Sequence, residues 1–168
     1  DIEPSKALQG EGTQSSPFLI GKLEDLVLMQ ECVNSQSGEI ISASDNGKVD
    51  ARRAFYKLTA DIDLSSVCGK DKGNWVPIGD FSQDEKFIFG GTFDGAGHKI
   101  TGLYIASSST FQGLFGCLAG EIRNLSVDGT VTGTGNCGLV CGGTSDSMDG
   151  KMLIENCTSS GAVGSGHG

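Results

Sequence analysis

Only two histidines, His98 and His167, are available for acid–base or metal chemistry in this sequence of 168 residues. A zinc peptidase would need a pattern such as His-Glu-x-x-His, which places two histidines on one face of a helix. His98 follows a turn-like segment at 94–97 and His167 lies in a Gly/Ser-rich tail, so neither has a ligand partner at metal spacing. We therefore predict no catalytic residue, no cofactor and no metal site, and we expect that the protein is not an enzyme.

The segment Phe93-Asp94-Gly95-Ala96-Gly97-His98 superficially resembles a glycine-rich phosphate-binding loop. Its Gly-x-Gly-x-x-Gly pattern is incomplete, however, and no long helix follows to offer an anion-binding N-terminus. Asp-Gly and Ala-Gly are typical of tight turns. We interpret the segment as a corner in which the Asp94 carboxylate accepts hydrogen bonds from nearby backbone amides.

Two groups of acidic residues could suggest calcium binding or glycoside hydrolysis. Asp61 and Asp63 lie two positions apart on a predicted strand, which puts both carboxylates on one face. Their alternation with apolar residues favours a solvated strand face instead, and no neighbour completes either kind of site. The acidic loop with Asp80, Asp84 and Glu85 is equally weak evidence for a metal site.

Trp75 is the single tryptophan and could stack on a sugar ring if it were exposed. The surrounding residues at 76–78 (Val-Pro-Ile) look buried, so a role in the core or as a loop anchor is favoured over ligand contact. Asn124-Leu125-Ser126 and Asn156-Cys157-Thr158 match the glycosylation pattern. Because the two asparagines recur at equivalent places, a stacked ladder of polar side chains is the better interpretation.

Six cysteines permit three disulfides without requiring them, and none has the CxxC spacing of a structural zinc site. Cys137 and Cys141 alone are weak evidence for metal binding. Cys157 takes the place of a leucine in the repeat described below, which favours a buried structural thiol over a reactive one. The cysteines are Cys32, Cys68, Cys117, Cys137, Cys141 and Cys157.

The net charge of −9 excludes whole classes of partner. Nucleic acids and anionic membrane surfaces attract clustered Lys and Arg, so we expect no nucleic-acid partner. No apolar run approaches the roughly 20 residues that cross a bilayer, and we expect no membrane insertion of this segment. Glycine is abundant, with 27 residues against 3 prolines, which suits a β-protein with many tight corners.

The elements that would position these side chains begin with a strand at 15–20 and an amphipathic helix at 22–33. A polar, Gly/Ser/Asp-rich segment at 34–53 predicts a long surface loop that could carry a short hairpin. Residues 55–64 alternate apolar and polar side chains, which indicates a strand with one buried face.

Internal repeats are the decisive observation in this sequence. A shift of 22 residues superimposes five glycine or apolar positions, and a shift of 32 superimposes 122–125 on 154–157, Gly129 on Gly161 and Val131 on Val163. Residues 113–116 also recur 25 residues later at 138–141, so the extra length of the last copy falls in a loop at 144–151. The first set pairs Gly91 with Gly113, Phe93 with Phe115, Ile100 with Ile122, Leu103 with Leu125, and Ile105 with Val127.

Copies this short cannot bury an apolar face alone, so they must stack. Parallel pairing about 4.8 Å apart then aligns like side chains in rows along the axis. The repeats predict one row of Ile100, Ile122 and Ile154, a second of Leu103, Leu125 and Cys157, and a ladder of the Phe93 and Phe115 rings.

Five short segments spread through most of the chain form a specific series: Pro17-Phe18-Leu19-Ile20, Tyr56-Lys57-Leu58 with Asp61-Ile62-Asp63-Leu64, Trp75-Val76-Pro77-Ile78-Gly79, residues 91–98, and Gly113-Leu114-Phe115-Gly116. In this order they resemble the GLUG-repeat proteins and the repeat region upstream of the catalytic part of bacterial immunoglobulin A metallopeptidases. The resemblance implies a bacterial surface or secreted protein with a right-handed parallel β-helix whose N-terminal end is covered by the helix at 22–33, and it assigns no shared catalytic residues. The loop at 34–53, the insertion at 68–74 and the six cysteines depart from the family pattern.

We therefore expect an all-β chain, a short right-handed single-stranded parallel β-helix with an N-terminal capping α-helix. Residues 1–168 would form a single domain, with the strand, helix and loop at 15–54 and the stacked copies at 55–168. The Gly/Ser-rich end at 164–168 offers no evident cap, which suggests a fragment of a longer protein.

The function expected from this fold is that of a non-catalytic secreted or cell-surface module for adhesion or ligand presentation. Its loops at 34–53 and 144–151 would meet a surface protein or glycan ligand. Two alternatives stay open: a carbohydrate-active or polysaccharide-binding β-helix, and an accessory repeat domain of a larger surface peptidase.

Overall fold

The computed structural model describes residues 2–145 and 152–165, which contain short strands and one α-helix, α1 (Leu23–Val33). The strands are β1 (Phe18–Ile20), β2 (Glu39–Ile41), β3 (Lys48–Asp50), β4 (Phe55–Leu58), β5 (Ile62–Asp63), β6 (Thr92–Asp94), β7 (Lys99–Ala106), β8 (Phe115–Leu118), β9 (Glu121–Arg123), β10 (Ser126–Gly133), β11 (Cys141–Thr144), β12 (Leu153–Glu155) and β13 (Thr158–Ser165). The predicted loop segment 144–151 lies largely outside the described residues, as do residues 166–168.

Parallel pairing between segments far apart in the chain dominates the fold. One sheet has the order β1-β4-β6-β9-β12, a second has the order β13-β10-β7-β5, and β11 pairs with β8; every pair in these sheets is parallel. The chain thus alternates between the sheets and returns to each one beside its previous strand. Among the strands within the described residues, β2 and β3 alone pair in antiparallel fashion, as the hairpin predicted within 34–53.

Strand register aligns apolar side chains in continuous rows through the core. Most of these residues are buried, since alternate side chains of every strand face the same side. The longest row runs through Phe18, Tyr56, Phe93, Ile122 and Ile154; a second contains Ile62, Ile100 and Val127; a third contains Ile105, Val131 and Val163.

The predicted 22-residue shift is wrong, whereas the 32-residue shift is confirmed. Phe93 pairs with Ile122, 29 residues later, and Ile105 pairs with Val131, 26 residues later. The sequence separation between paired residues falls first at the corner, because the four residues at 95–98 correspond to only two at 124–125. A register irregularity between Val127 and Gly129 then removes one more residue. Ile100 therefore lies in the second row, beside Val127, and not in the row of Ile122 and Ile154.

Two further rows need correction. Phe93 and Phe115 belong to different sheets and meet edge to face, with ring centroids 5.3 Å apart, so they touch without forming a ladder. Phe115 pairs with Cys141, one residue beyond the predicted 25-residue shift. Leu103 pairs with Gly129 and does not share a row with Leu125.

The predicted strand at 55–64 is two strands, β4 and β5, in different sheets. Apolar alternation persists through the corner at 59–61 because Leu58, Ile62 and Leu64 all face the same interior. A period of two therefore cannot reveal where a corner interrupts the strand.

Helix α1 confirms the predicted helix and packs against β1 and β2. Its buried face carries Leu26, Met29 and Val33. Asp25 in the first turn ties down the preceding chain, because its carboxylate accepts hydrogen bonds from the Ser5 hydroxyl at 2.6 Å and the Gly21 amide at 3.1 Å. Acidic residues are favourable there because the helix N-terminus is positively polarised.

The predicted polar ladder is confirmed at one corner of successive strands. Asn156 Nδ2 donates to Asn124 Oδ1 at 2.8 Å, and Asn124 Nδ2 donates to Asp94 Oδ1 at 3.1 Å. Both asparagines have a positive φ, at 53° and 52°, a conformation that Asn tolerates better than most residues. The two asparagines thus have two structural roles: they form the corners of the chain, and their side chains link three successive strands. These roles explain why asparagine recurs at this position.

The side of the stack that bears β12 and β13 is exposed. Ile154 and Val163 lie in the interior rows, yet their exposed fractions are 46% and 50%. Ile122 and Val131, one strand inward in the same rows, are fully buried.

All six cysteines are free thiols in the structure. Cys68 and Cys117 are buried, and Cys157 is partly buried against the core with its Sγ directed at the Ile122 carbonyl, 3.6 Å away. Burial, reinforced by the nearby Glu31 charge, raises the pKa of Cys32 to about 11. Burial likewise raises the pKa of Cys141 to about 11.

We expect Cys32 and Cys141 to resist alkylation in the folded chain. A thiol whose pKa is raised from 9.0 to about 11 stabilises the fold below pH 9 and loses that contribution as the pH rises through its folded pKa. Iodoacetamide labelling at pH 8.5, read by peptide mass spectrometry, should modify both residues far more slowly than in urea, and the urea midpoint should fall between pH 8 and pH 11. Equal labelling rates with and without urea would contradict the partly buried placement of the two thiols.

Candidate functional site

A groove lies on the outer face of the five-stranded sheet. Two adjoining depressions, of about 380 and 200 Å³, share Gln14, Phe55, Thr92, Glu121 and Arg123. These side chains point outward because Tyr56, Phe93 and Ile122, their neighbours in the strands, fill the core. Other lining residues are Pro17, Arg53, Tyr56, Lys57, Gly90, Gly91, Asp94, Ala119 and Gly120. We call this set the groove.

Glycines let successive strands stack closely at the base of the groove. A Cβ on Gly91 would lie 2.2 Å from the Ala54 carbonyl oxygen, and one on Gly120 would lie 2.1 Å from the Gly91 carbonyl oxygen. The same backbone groups carry the hydrogen bonds between strands, since the Glu121 amide donates to the Gly91 carbonyl at 2.9 Å. The base of the groove is therefore main chain, without side chains to fill it.

Charged side chains in the groove occur in pairs. Arg123 Nη2 donates to Glu121 Oε2 at 2.8 Å, and the Thr92 hydroxyl lies 3.5 Å from the same oxygen. Arg53 lies 3.9 Å from Asp50. Two of the three arginines in the chain thus meet at one site, and each has a carboxylate beside it. Arg123 Nε is buried without a hydrogen-bond partner in the described part of the chain.

Phe55 provides an apolar surface in the middle of the groove. It contributes to both depressions and is only partly buried, whereas the next residue, Tyr56, is 1% exposed. The Tyr56 hydroxyl donates to the Ala51 carbonyl at 2.7 Å and thereby holds β4 against the preceding turn. The strand is thus fixed behind the Phe55 ring.

His98 contacts a carboxylate on the surface of the chain. Its Nδ1 lies 3.2 Å from Asp61 Oδ1, which also accepts the Lys99 amide at 2.9 Å. The Lys99 amide, and then His98, hold the pKa of Asp61 below its usual value. Within residues 2–145 and 152–165 no three His, Cys, Asp or Glu side chains are grouped to hold a metal ion. His167 lies outside the described residues.

The other acidic candidates stabilise turns. Asp63 accepts the Ser65 amide at 2.9 Å, Asp84 accepts the Lys86 amide at 3.0 Å, and Asp80 accepts the Ser82 hydroxyl at 2.5 Å. Those amide bonds are the main reason that the pKa values of Asp63 and Asp84 lie below their usual value. Glu85 is exposed. The solvated-face interpretation of Asp61 and Asp63 agrees with their exposure.

Trp75 and Asp94 have the structural positions that were predicted. The indole of Trp75 is 3% exposed and donates to the Leu114 carbonyl at 3.1 Å. Its neighbour Val76 is 44% exposed, contrary to the expectation that residues 76–78 are buried. Asp94 accepts the Ala96 amide at 2.8 Å, which confirms the corner.

A second polar surface lies on the four-stranded sheet. It is a depression of about 340 Å³ that includes Lys99, Ser126, Asp128 and Thr158. Its hydroxyls bond across strands: Ser126 to Thr158 at 2.7 Å and Ser160 to Asp128 at 3.0 Å. None of its described lining residues is aromatic, whereas the Phe55 ring lines the groove.

The groove could not be found from spacing in the sequence. Arg53 and Phe55, just before and at the start of β4, lie far along the chain from Glu121 and Arg123 on β9, so the four residues form no motif. One usable signal was present: Glu121 and Arg123 flank the apolar Ile122, and alternation along a strand then places both charged side chains outside the core.

Comparisons with known proteins give two similar segments, and no family model matches the chain. Halomucin of Haloquadratum walsbyi is 34% identical over 162 residues, which is 92% of this chain and 2% of halomucin. A crystal structure from Bacteroides ovatus, titled "putative immunoglobulin A1 protease", superposes with a TM-score of 0.64 at 22% identity, covering 92% of this chain and 40% of that one. The GLUG resemblance stays a prediction.

The described residues contain no helix with the length and apolar character needed to cross a bilayer. The chain is mostly β-structure with parallel sheets, and it shares this fold with the Bacteroides ovatus protein. Nearly all of it is thus similar to a segment of each of two larger proteins.

Proposed function

We propose that this chain is a non-catalytic, right-handed β-helix module of a larger extracellular or cell-surface protein, and that it binds a surface glycan or protein. Parallel pairing of successive strands in three sheets, with continuous apolar rows, supports the β-helix. Similarity to segments of two larger proteins supports its role as one module among others. The name halomucin favours an extracellular location.

The observation that carries the binding role is the groove. It joins a partly exposed aromatic ring to paired polar side chains on strands whose inner faces are locked into the core. Ligand sites combine apolar surface with a few well-placed polar groups in this way, and depressions of ~300–1,000 Å³ are usual for them. The predicted presentation loop at 34–53 contributes its last residue, Arg53, to the groove, but its hairpin of β2 and β3 lines neither depression.

The test is a binding screen with two matched variants. Labelled chain is applied to an array of surface glycans and of purified cell-surface proteins. In one variant a Gly/Ser linker replaces the hairpin tip at 42–47; in the other, Phe55→Ala alters the groove. We expect binding to at least one array feature, loss of that binding in Phe55→Ala, and retention when the hairpin tip is exchanged. A folded chain that binds nothing would contradict the proposal.

A carbohydrate-active role is the second candidate, because Glu121 and Arg123 place a carboxylate and a guanidinium in a groove along parallel strands. Glu121 already accepts a hydrogen bond from Arg123, a contact that it would have to give up to accept a proton from a substrate. We expect no unsaturated products from polygalacturonate or alginate. Products that disappear in Glu121→Gln would establish catalysis and overturn the non-catalytic proposal.

A further inference from the structure

We propose that the groove binds a neutral saccharide, with one sugar ring on Phe55 and two adjacent hydroxyls on the Arg123–Glu121 pair. The inference rests on the proposed binding function and names its ligand class. It follows from three properties of the groove: its charge balance, the arrangement of its polar groups and its apolar surface.

Charge balance argues against an anionic ligand. Arg123 is bound to Glu121 at 2.8 Å, Arg53 has Asp50 at 3.9 Å, and Asp94 lies near Lys57 in the same depression. The groove's lining holds three positive side chains, Arg53, Lys57 and Arg123, against the carboxylates of Glu121 and Asp94, and Asp50 beside Arg53 supplies the third negative charge. Positive and negative charges thus balance there, and the chain carries −9 overall. An acidic sugar would have to compete with Glu121 for Arg123 against that net field, whereas a neutral sugar would not.

The Arg123–Glu121 pair matches a vicinal diol. Each sugar hydroxyl both donates and accepts, and this pair offers guanidinium N–H donors beside carboxylate acceptors. Both residues project from the same face of β9, two positions apart, and the Thr92 hydroxyl supports the carboxylate from the adjacent strand. Neither side chain must be recruited from solvent, which lowers the entropy cost of binding.

The apolar contact comes from Phe55. A sugar ring has one face of C–H groups that can cover an aromatic ring, and Phe55 sits between the two depressions. The larger depression lies over the start of β6 and β9, and the smaller one extends toward Lys57 and Asp94 at the ends of β4 and β6. Together they offer space for more than one sugar unit, with an oligosaccharide running along the strands.

The experiment measures calorimetric affinity for maltohexaose, cellohexaose, mannohexaose and xylohexaose, with hexagalacturonate as the acidic probe. We expect one neutral oligosaccharide to bind with a Kd that changes less than about twofold between 50 and 500 mM NaCl. Phe55→Ala and Glu121→Gln should each weaken it about tenfold or more. Glu121→Gln should also strengthen hexagalacturonate binding, because Arg123 then loses its counter-charge.

Matched controls separate a binding effect from a folding effect. Leu19→Ala changes an outward side chain of the same sheet outside the groove, and Glu155→Gln changes the outward acid on the next strand, opposite Arg123. Both should bind like the unaltered chain, and all four variants should keep its circular dichroism spectrum. If the two control variants lost as much oligosaccharide affinity as Phe55→Ala and Glu121→Gln, the groove would not be the binding site.

Other outcomes distinguish this inference from the proposed function. Salt-sensitive binding of hexagalacturonate alone, abolished in Phe55→Ala, would overturn the neutral ligand class and leave the binding function standing. If the chain bound only cell-surface proteins on the array of the binding screen, and no oligosaccharide, the neutral ligand class would likewise be overturned while the binding function stood. Binding to nothing would overturn both.

Discussion

We expect Phe115→Ala to lower the free energy of unfolding by about 3–5 kcal/mol, the usual cost of removing a large aromatic side chain from a packed core. Phe115 is fully buried, and its ring lies 5.2 Å from Phe89 and 5.3 Å from Phe93. Phe89 in turn contacts Tyr56, and Tyr56 contacts Phe18. Loss of Phe115 therefore opens a cavity where β8 meets the five-stranded sheet.

Urea unfolding followed by circular dichroism measures this effect, with Phe81→Ala as the matched control. Phe81 is only partly buried, and its main ring neighbour is Phe111 at 4.9 Å, away from the central rings. We expect the control to lose less than half as much stability. A midpoint for Phe115→Ala that equals that of the unaltered chain would show that the ring is not in the core.

Much of the fold was predictable because local patterns determine it. The helix at 22–33, the hairpin within 34–53 and the Asp94 corner depend on nearby residues, and each was correctly placed. The 32-residue register was also correct, because the corners at 124–125 and 156–157 have the same length. Where two corners have the same length, the repeat length stays constant, and residues that match in the sequence are then neighbours on adjacent strands.

The 22-residue register failed because corner length varies while apolar alternation does not. In a strand with period two, many shifts superimpose apolar residues on apolar residues. Ile100 matched Ile122 in this way, although its partner is Val127. To choose Val127 over Ile122 as the partner of Ile100, one must know the length of the corner at 95–98 and the register irregularity after it. The apolar periodicity of one sequence contains neither.

The candidate site was missed for the same reason. The wrong shift put Thr92 beside Leu114, whereas the structure puts it beside Glu121. Only the correct register brings Phe55, Thr92 and Glu121 onto adjacent strands. The residues that sequence patterns did single out, such as Asp61 and Trp75, instead support turns and the core.

Gly120→Ala tests the close stacking beneath the groove. An added Cβ would lie 2.1 Å from the Gly91 carbonyl oxygen and 2.7 Å from the Gly90 carbonyl carbon, both main-chain atoms of the preceding strand segment. Those atoms cannot retreat freely, because the Glu121 amide bonds to the Gly91 carbonyl and the Leu153 amide bonds to the Gly120 carbonyl. We expect a loss of about 3 kcal/mol, at the upper end of the usual cost of overpacking.

Two other glycines separate this clash from the cost of an unusual backbone conformation. Gly164→Ala meets nothing closer than 3.5 Å and should change stability by less than about 0.5 kcal/mol. Gly97 has open space around a Cβ but a φ of +83°, so its replacement by Ala should cost about 1 kcal/mol through backbone strain alone. In thermal and urea unfolding, the loss of stability should be smallest for Gly164→Ala, intermediate for Gly97→Ala and largest for Gly120→Ala. If Gly120→Ala were as stable as Gly164→Ala, strands β6 and β9 could not approach each other as described, and the groove above them would lose its main-chain base.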